Sequence, residues 1–352
     1  MPAVKESPGK VLLTGGTGFI ASHVLDCLLD NGFTVVVTAR SKDKGQRIVE
    51  GVNPEVRDNV SFVIVGDIAQ DGAFDSAVQS SPPFDYVVHT ASPYQLHFDD
   101  PFRDCLDPAI KGTTGILASI KTFAPTVKRV VITSSSAAVL NVAPDHLPIY
   151  SETNWCNVTW AQATDPAHTY RASKKFAEKA AWDFITTEKP NFDLATINNT
   201  YTFGPLPRSL TSLDSLNTSN HRIRDMVLGR MKSGIAPTAP VFTFVDVRDV
   251  ALAHVRALTV PEAGGNRFYM VGEFFSNAKI AEIIRKEFPE LEDKFPPREE
   301  VRSDFPEDHW GFDSSKARRV LGVEYTSLEK SVRDTVESML EREDLMGGKV
   351  ER

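Results

Sequence analysis

Residues 10–22, KVLLTGGTGFIAS, constrain this chain more than any other stretch. An apolar run stops at Gly15, Gly16 and Gly18, and an apolar helix start, Phe19–Ile20–Ala21, follows at once. Glycines at such a turn let the backbone approach a pyrophosphate, and the helix behind them offers free N–H groups and the positive end of its dipole. The spacing is GxxGxxA, with the small Ala21 permitting close helix–sheet packing, and it differs from the GxGxxG of many dinucleotide loops. Placed directly after the first strand, the loop commits the chain to βαβ units with ligands at the carboxyl ends of the strands.

The rest of the N-terminal half keeps that rhythm. Strands are expected at Lys10–Thr14, Thr34–Thr38, Ser61–Val65, Tyr86–His89, Arg129–Thr133 and Leu194–Asn198, with helices starting near Gly18, Ser41, Asp107 and Pro166. Several of these strands are nearly all apolar, as befits a sheet covered on both faces. The fold class is therefore α/β, a Rossmann-type doubly wound parallel sheet. After Gly204–Pro205 the pattern changes to Ser, Thr, Pro and Leu, with a helical stretch near Ile223–Lys232. A strand-like Val241–Val245 and a helix at Val247–Leu258 read as a return to the sheet. Residues 281–310 are charged and broken by prolines, and 282–302 read as solvated surface. Helical patterns resume at Ser314–Leu321 and Leu328–Leu340, where Leu328, Val332, Val336 and Leu340 share one face, expected to pack on the chain's own core. A smaller, discontinuous C-terminal substrate-binding lobe is thus expected from 205–240 plus 276–345. It sits beside a nucleotide-binding unit of 1–204 plus 241–275, with a tail at 346–352.

Composition narrows the function. With 352 residues, 41% hydrophobic and 24% charged, the chain has the balance of a globular protein. The net charge of −8 argues against nucleic acid as partner, because that affinity needs clustered cations. No apolar run reaches the ~18 residues of a membrane span. The start lacks a secretory pattern, and the three cysteines form no CxxC pair, so a cytoplasmic protein without a disulfide framework or metal site is expected. The scattered histidines have no metal spacing, and His89 and His254 sit in apolar stretches. Asp246 and Asp249 read as local anchors.

The end of the second strand selects the nucleotide. An acidic residue there usually bonds the ribose hydroxyls of NAD. Here the segment is Val37–Thr38–Ala39–Arg40–Ser41–Lys42–Asp43–Lys44, with Arg40 where a carboxylate would stand. Arg40 and Lys44 around a helix start suit a 2′-phosphate, which favours NADPH/NADP+. Asp67–Ile68, after the third strand, is placed to meet the adenine.

Tyr170–Arg171–Ala172–Ser173–Lys174 is a YxxxK motif on one helix face. A free tyrosine, with pKa ~10, is a poor acid–base group near neutrality. A neighbouring ammonium favours the phenolate and lowers that value. Lys174 can also hold a cofactor ribose, and Ser135, just past Arg129–Thr133, can hydrogen-bond a carbonyl. Alone, YxxxK means little; after GGTGFIA and TSSS it carries weight.

With these motifs the chain resembles the extended short-chain dehydrogenase/reductase family. It is most similar to the branch of dihydroflavonol reductases, cinnamoyl-CoA reductases and fungal NADPH-dependent ketone/aldehyde (methylglyoxal-type) reductases. LLTGGTGFIASHV, VVVTAR, GDI, HTASP (89–93), RVVITSSSAAV, YRASKKFAEKAAW, TFGP and FVDVRDVALAH follow in family order, and SLNTSN (215–220) points to the fungal members. The resemblance implies an oxidoreductase acting on CH–OH/C=O groups, a ketoreductase or aldehyde reductase. Ser135, Tyr170 and Lys174 would be its catalytic triad. It implies that Gly15, Gly18, Phe19, Ile20, Arg40, Lys44, Asp67, Ile68, Thr90, Ala91 and Ser92 line the cofactor, and Tyr94, Ser136, Leu140 and Tyr201 the pocket for a small-molecule carbonyl substrate. Where the family usually reads Asn-Pro after the sixth strand, this chain has Asn198–Asn199–Thr200, which frees φ and adds a backbone donor. Competing expectations are an NAD(P)-dependent hydroxysteroid dehydrogenase, a sugar-nucleotide epimerase/dehydratase, against which Arg40 without a strand-end carboxylate argues, and a non-catalytic NADP(H) sensor, against which the intact Ser135, Tyr170 and Lys174 count. A monomer or a homodimer fits either way.

Overall fold

The computed structural model describes residues 8–92, 99–342 and 345. Its elements in chain order begin with β1 (Lys10–Thr14), α1 (Phe19–Asp30), β2 (Thr34–Ala39), α2 (Lys42–Gly51), β3 (Val60–Ile64), β4 (Tyr86–His89), α3 (Asp107–Phe123) and β5 (Arg129–Thr133). They continue with β6 (Ile149–Tyr150), α4 (Thr169–Glu188), β7 (Asp193–Asn199), β8 (Tyr201–Phe203), α5 (Thr218–Val227), β9 (Thr243–Asp246), α6 (Val247–Thr259) and β10 (Asn266–Met270). The last are β11 (Glu273–Phe274), α7 (Asn277–Glu287), β12 (Gly311–Phe312), α8 (Ser315–Leu321) and α9 (Leu328–Leu340).

The main sheet has seven strands in the order β3-β2-β1-β4-β5-β7-β10, every pair parallel. Because side chains alternate across a strand, Val11 and Leu13 enter one core while Leu12 enters another. The first core is closed by Val24 and Leu28 of α1, Ile48 of α2 and Val250 of α6, the second by Ile116 and Ile120 of α3 and Ala181 of α4. Strand order reverses between β1 and β4, the crevice where doubly wound sheets bind ligands.

Three expectations are corrected here. The Val241–Val245 segment does not rejoin the main sheet: β9 pairs with β8 and, antiparallel, with β11 in a separate three-stranded sheet. The return is made by β10 against β7, after the α6 crossover delivers the chain to that open edge. Nor is 282–302 simply solvated: Ile283, Ile284, Leu291 and Phe295 are buried, because α7 and the turn after it turn one apolar face inward between charged neighbours. The helix after Pro205 also starts earlier than the pattern suggested, at Thr218.

A further core joins Phe203, Ile223 and Phe244 to Ile280, Ile284, Leu328, Val332 and Val336, so α9 packs on its own chain. Asp246 caps α6 by accepting from the Arg248 N–H at 2.8 Å, and the Asp249 carboxylate holds the Thr326 N–H at 2.7 Å. Among the described residues no helix is long and apolar enough to cross a membrane.

Candidate active site

The phosphate loop follows from one backbone requirement. Gly15 has φ +73°, and a Cβ there would lie 2.9 Å from both N and Cα of Ala91. Only glycine lets the ends of β1 and β4 come this close. The same junction is laced by Thr90 Oγ1 donating to Thr14 O at 2.5 Å and Ala91 N–H donating to Thr14 Oγ1 at 3.1 Å. Gly18 then precedes α1 with no side-chain cap, and the first turn holds no acid. The helix's leading N–H groups are left for an anion, with Phe19 and Ile20 half-buried beside them.

At the end of β2, Arg40 is exposed, Ser41 caps α2 by accepting from Lys44 N–H at 3.4 Å, and Lys44 is half-exposed. Neither Arg40 nor Lys44 has an ion-pair partner among the described residues. Two uncompensated cations flank a helix N-terminus where NAD-type loops carry a carboxylate, so the residues present fit a 2′-phosphorylated nucleotide. Asp67 is exposed and bonds the Ala69 N–H at 2.9 Å, while Ile68 packs beside Gly112 of α3.

The chemistry-bearing residues gather at the carboxyl ends of β4 and β5. Ser135 is half-buried just after β5 and opens a short turn, Ser136–Ala138, against which α4 packs. Its Oγ accepts from Ala137 N–H at 3.1 Å. Tyr170 stands half-buried in the first turn of α4, and Lys174 Nζ lies 5.6 Å from the centre of its ring. Lys174 Nζ also donates to Ser92 Oγ at 2.8 Å, tying α4 to the loop after β4. Burial pushes the Lys174 pKa down to about 8. Behind it, burial and then the Lys174 charge drive His89 down to about 3, so this imidazole is neutral, its Nδ1 2.9 Å from Thr14 Oγ1.

The structure separates the three serines of the TSSS stretch, Ser134, Ser135 and Ser136. Ser134 is buried and gives its hydroxyl to Glu178 Oε2 at 2.5 Å, which leaves Ser135 as the half-open one. Ser136 is buried at the start of the turn. Leu140, 1% exposed, is packed among Val139, Tyr150, Tyr269 and Trp310. Tyr201 is half-buried on β8, against Phe275 and under the Arg222 guanidinium at 4.6 Å. The pocket residues thus divide between two packing groups, and Tyr94 lies outside the described residues. Asn199, in place of the family proline, ends β7 opposite Met270 and donates from Nδ2 to Thr202 Oγ1 at 2.9 Å.

Glu178 escaped the sequence reading. It sits one turn past Lys174 on the same face, and a carboxylate among the alanines of FAEKAAW was the available signal.

A family model described as the NAD dependent epimerase/dehydratase family matches residues 11–272. The chain is 57% identical to Ketoreductase azaE of Aspergillus niger over 333 residues, which are 95% of this chain and 98% of that protein. It is 34% identical to NADPH-dependent methylglyoxal reductase GRE2 of Saccharomyces cerevisiae, over 95% of this chain and 98% of that one. The crystal structure of Gre2 from Candida albicans in complex with NADPH has a TM-score of 0.84 to this fold at 36% identity, covering 95% of this chain and 99% of the other. Each of these matches extends over nearly the whole of both chains. This chain belongs to the NAD dependent epimerase/dehydratase family, among the extended short-chain dehydrogenases/reductases.

Proposed function

We propose that this enzyme is an NADPH-dependent carbonyl reductase that converts a ketone or aldehyde to an alcohol. The observation that carries the reading is the placement of Tyr170 and Lys174 on the helix that packs against the turn opened by Ser135. When bound, NADPH supplies the hydride. Arg40 and Lys44 bind the 2′-phosphate, and Gly15, Gly18 and the start of α1 receive the pyrophosphate. Ser135 Oγ–H donates to the carbonyl oxygen and so polarises the carbon. Tyr170 holds the proton at Oη and gives it to that oxygen as negative charge develops there. Lys174, protonated below its pKa of about 8, stabilises the phenolate left behind and holds the ribose. The seven-stranded sheet and its helices would form the nucleotide-binding part, and the core that joins β8, β9, α5, α7 and α9 the substrate side, with Tyr201 on β8 and Ser136 in the turn after β5 as pocket residues. The names of the ketoreductase and methylglyoxal reductase relatives support the substrate class.

Tyr170→Phe tests the assignment. Removing a positioned general acid costs about 10²- to 10⁴-fold in rate. The expected result is that loss in kcat with NADPH binding, followed by cofactor fluorescence, unchanged. Near-normal turnover would remove Tyr170 from the mechanism.

A further inference from the structure

We propose that Glu178 is a positioning residue whose buried carboxylate clamps the peptide carrying Ser135 to the helix carrying Tyr170 and Lys174. The inference rests on the functional reading above and adds a residue that touches neither substrate nor cofactor.

Glu178 is 2% exposed, and its carboxylate is crowded with donors. Oε2 accepts from Ser134 Oγ at 2.5 Å and from Asn198 Nδ2 at 2.6 Å. Oε1 accepts from Thr196 Oγ1 at 3.0 Å and Arg267 Nε at 2.6 Å. One side chain of α4 thereby grips the end of β5, two residues of β7 and the start of β10.

Two links run to Ser135. Its neighbour Ser134 is held by hydroxyl, and its own carbonyl accepts from Asn198 Nδ2 at 3.4 Å, the same amide that bonds Glu178. On the helix side, Tyr170, Lys174 and Glu178 lie at i, i+4 and i+8, on one face. Any tilt of α4 against β5 would therefore have to break the Ser134–Glu178 bond.

The role is geometric and not a matter of charge. Arg267 neutralises the carboxylate and spends its Nη1 on the carbonyls of Glu152 and Asn154, both at 2.6 Å. Its guanidinium lies 3.7 Å from the centre of the Trp155 ring. Stability alone is a poor reason for such a cluster, since a buried ion pair is often no better than apolar residues of the same volume. Its location, between the groups that must share one carbonyl oxygen, is what distinguishes it. Positioning errors near 1 Å cost on the order of 100-fold in rate.

Ser134→Ala is the decisive variant, because it cuts the hydroxyl link beside Ser135, leaves only the weaker 3.4 Å bridge through Asn198, and keeps the Glu178–Arg267 pair whole. Glu178→Gln is the companion, and if it does not fold, Ser134→Ala decides alone. The measurement is a single turnover of bound NADPH by rapid mixing, whose amplitude counts competent enzyme and whose rate constant reports the chemistry. The expected result is full amplitude with a rate constant lowered about 10- to 100-fold, and carbonyl KM and NADPH affinity within about twofold. A wild-type rate constant, or a loss confined to amplitude, would overturn the proposal and leave a scaffold role. Tyr170→Phe run alongside keeps the two readings apart, because retained turnover there would defeat the functional assignment itself.

Discussion

The two ends of the cofactor crevice handle charge in opposite ways. At the phosphate end, Arg40 and Lys44 stand without ion-pair partners among the described residues at the start of α2, and α1 starts with neither a side-chain cap nor an acid. At the catalytic end, the Glu178 charge is answered within the protein by Arg267, and both are met by hydroxyls, amides and carbonyls. Charge left open binds a ligand and contributes nothing to the fold. Charge closed on itself fixes geometry and has no affinity left to offer. On the proposed function, one sheet carries both solutions because recognition of a nucleotide and alignment of a proton donor ask different things of a charge.

The comparison breaks first on stability. Arg267→Met strands the Glu178 carboxylate, and denaturant unfolding should show a loss of about 3–5 kcal/mol. Arg40→Ala should leave unfolding within about 0.5 kcal/mol of the parent. Equal losses for the two would erase the distinction drawn between the ends. Binding sharpens it next. Lost charge-assisted bonds to the 2′-phosphate are worth about 1.5–3 kcal/mol, so Arg40→Ala should raise the Kd for NADPH roughly 10- to 100-fold and leave NADH where it was. An unchanged NADPH/NADH ratio would take Arg40 out of cofactor choice.

The smallest effect is in pH. Lys174 is pushed from its ordinary 10.5 to about 8 by burial, so the folded chain sheds this proton earlier than the unfolded one. Between those values the unfolded state binds more protons, and stability of the cofactor-free enzyme gains from this group as pH rises. Affinity for NADPH should run the other way, weakening above pH 8 as the ammonium is lost. Lys174→Met should flatten both slopes, and slopes that persist in that variant would assign them to another group.

What could be read from the sequence follows the same division. The phosphate loop, Arg40 and YxxxK are chemistry written in contiguous residues, where a turn or a helix period brings the groups together without help from elsewhere. The six strands from β1 to β7 that join the main sheet were legible as short apolar runs, and α9 by its buried Leu328, Val332 and Val336. The strand β10 was not: it opens with the half-buried Asn266 and Arg267, and the Arg267 charge is met by Glu178 on another element. Glu178 itself depends on residues 134, 196, 198 and 267, a set that only the folded sheet assembles. The buried face of 282–302 was hidden in the same way, by Glu and Lys placed between the apolar residues of one helical face.

The central claim is tested most directly by following the near-ultraviolet absorbance of the cofactor over a panel of ketones, aldehydes, α-dicarbonyls and dihydroflavonols, with NADPH and NADH in parallel. The account predicts turnover that prefers NADPH, with alcohol formed in step with the cofactor consumed. Tight NADPH binding with no turnover across the panel would contradict it and leave a nucleotide-binding protein whose Ser135, Tyr170 and Lys174 do no carbonyl chemistry.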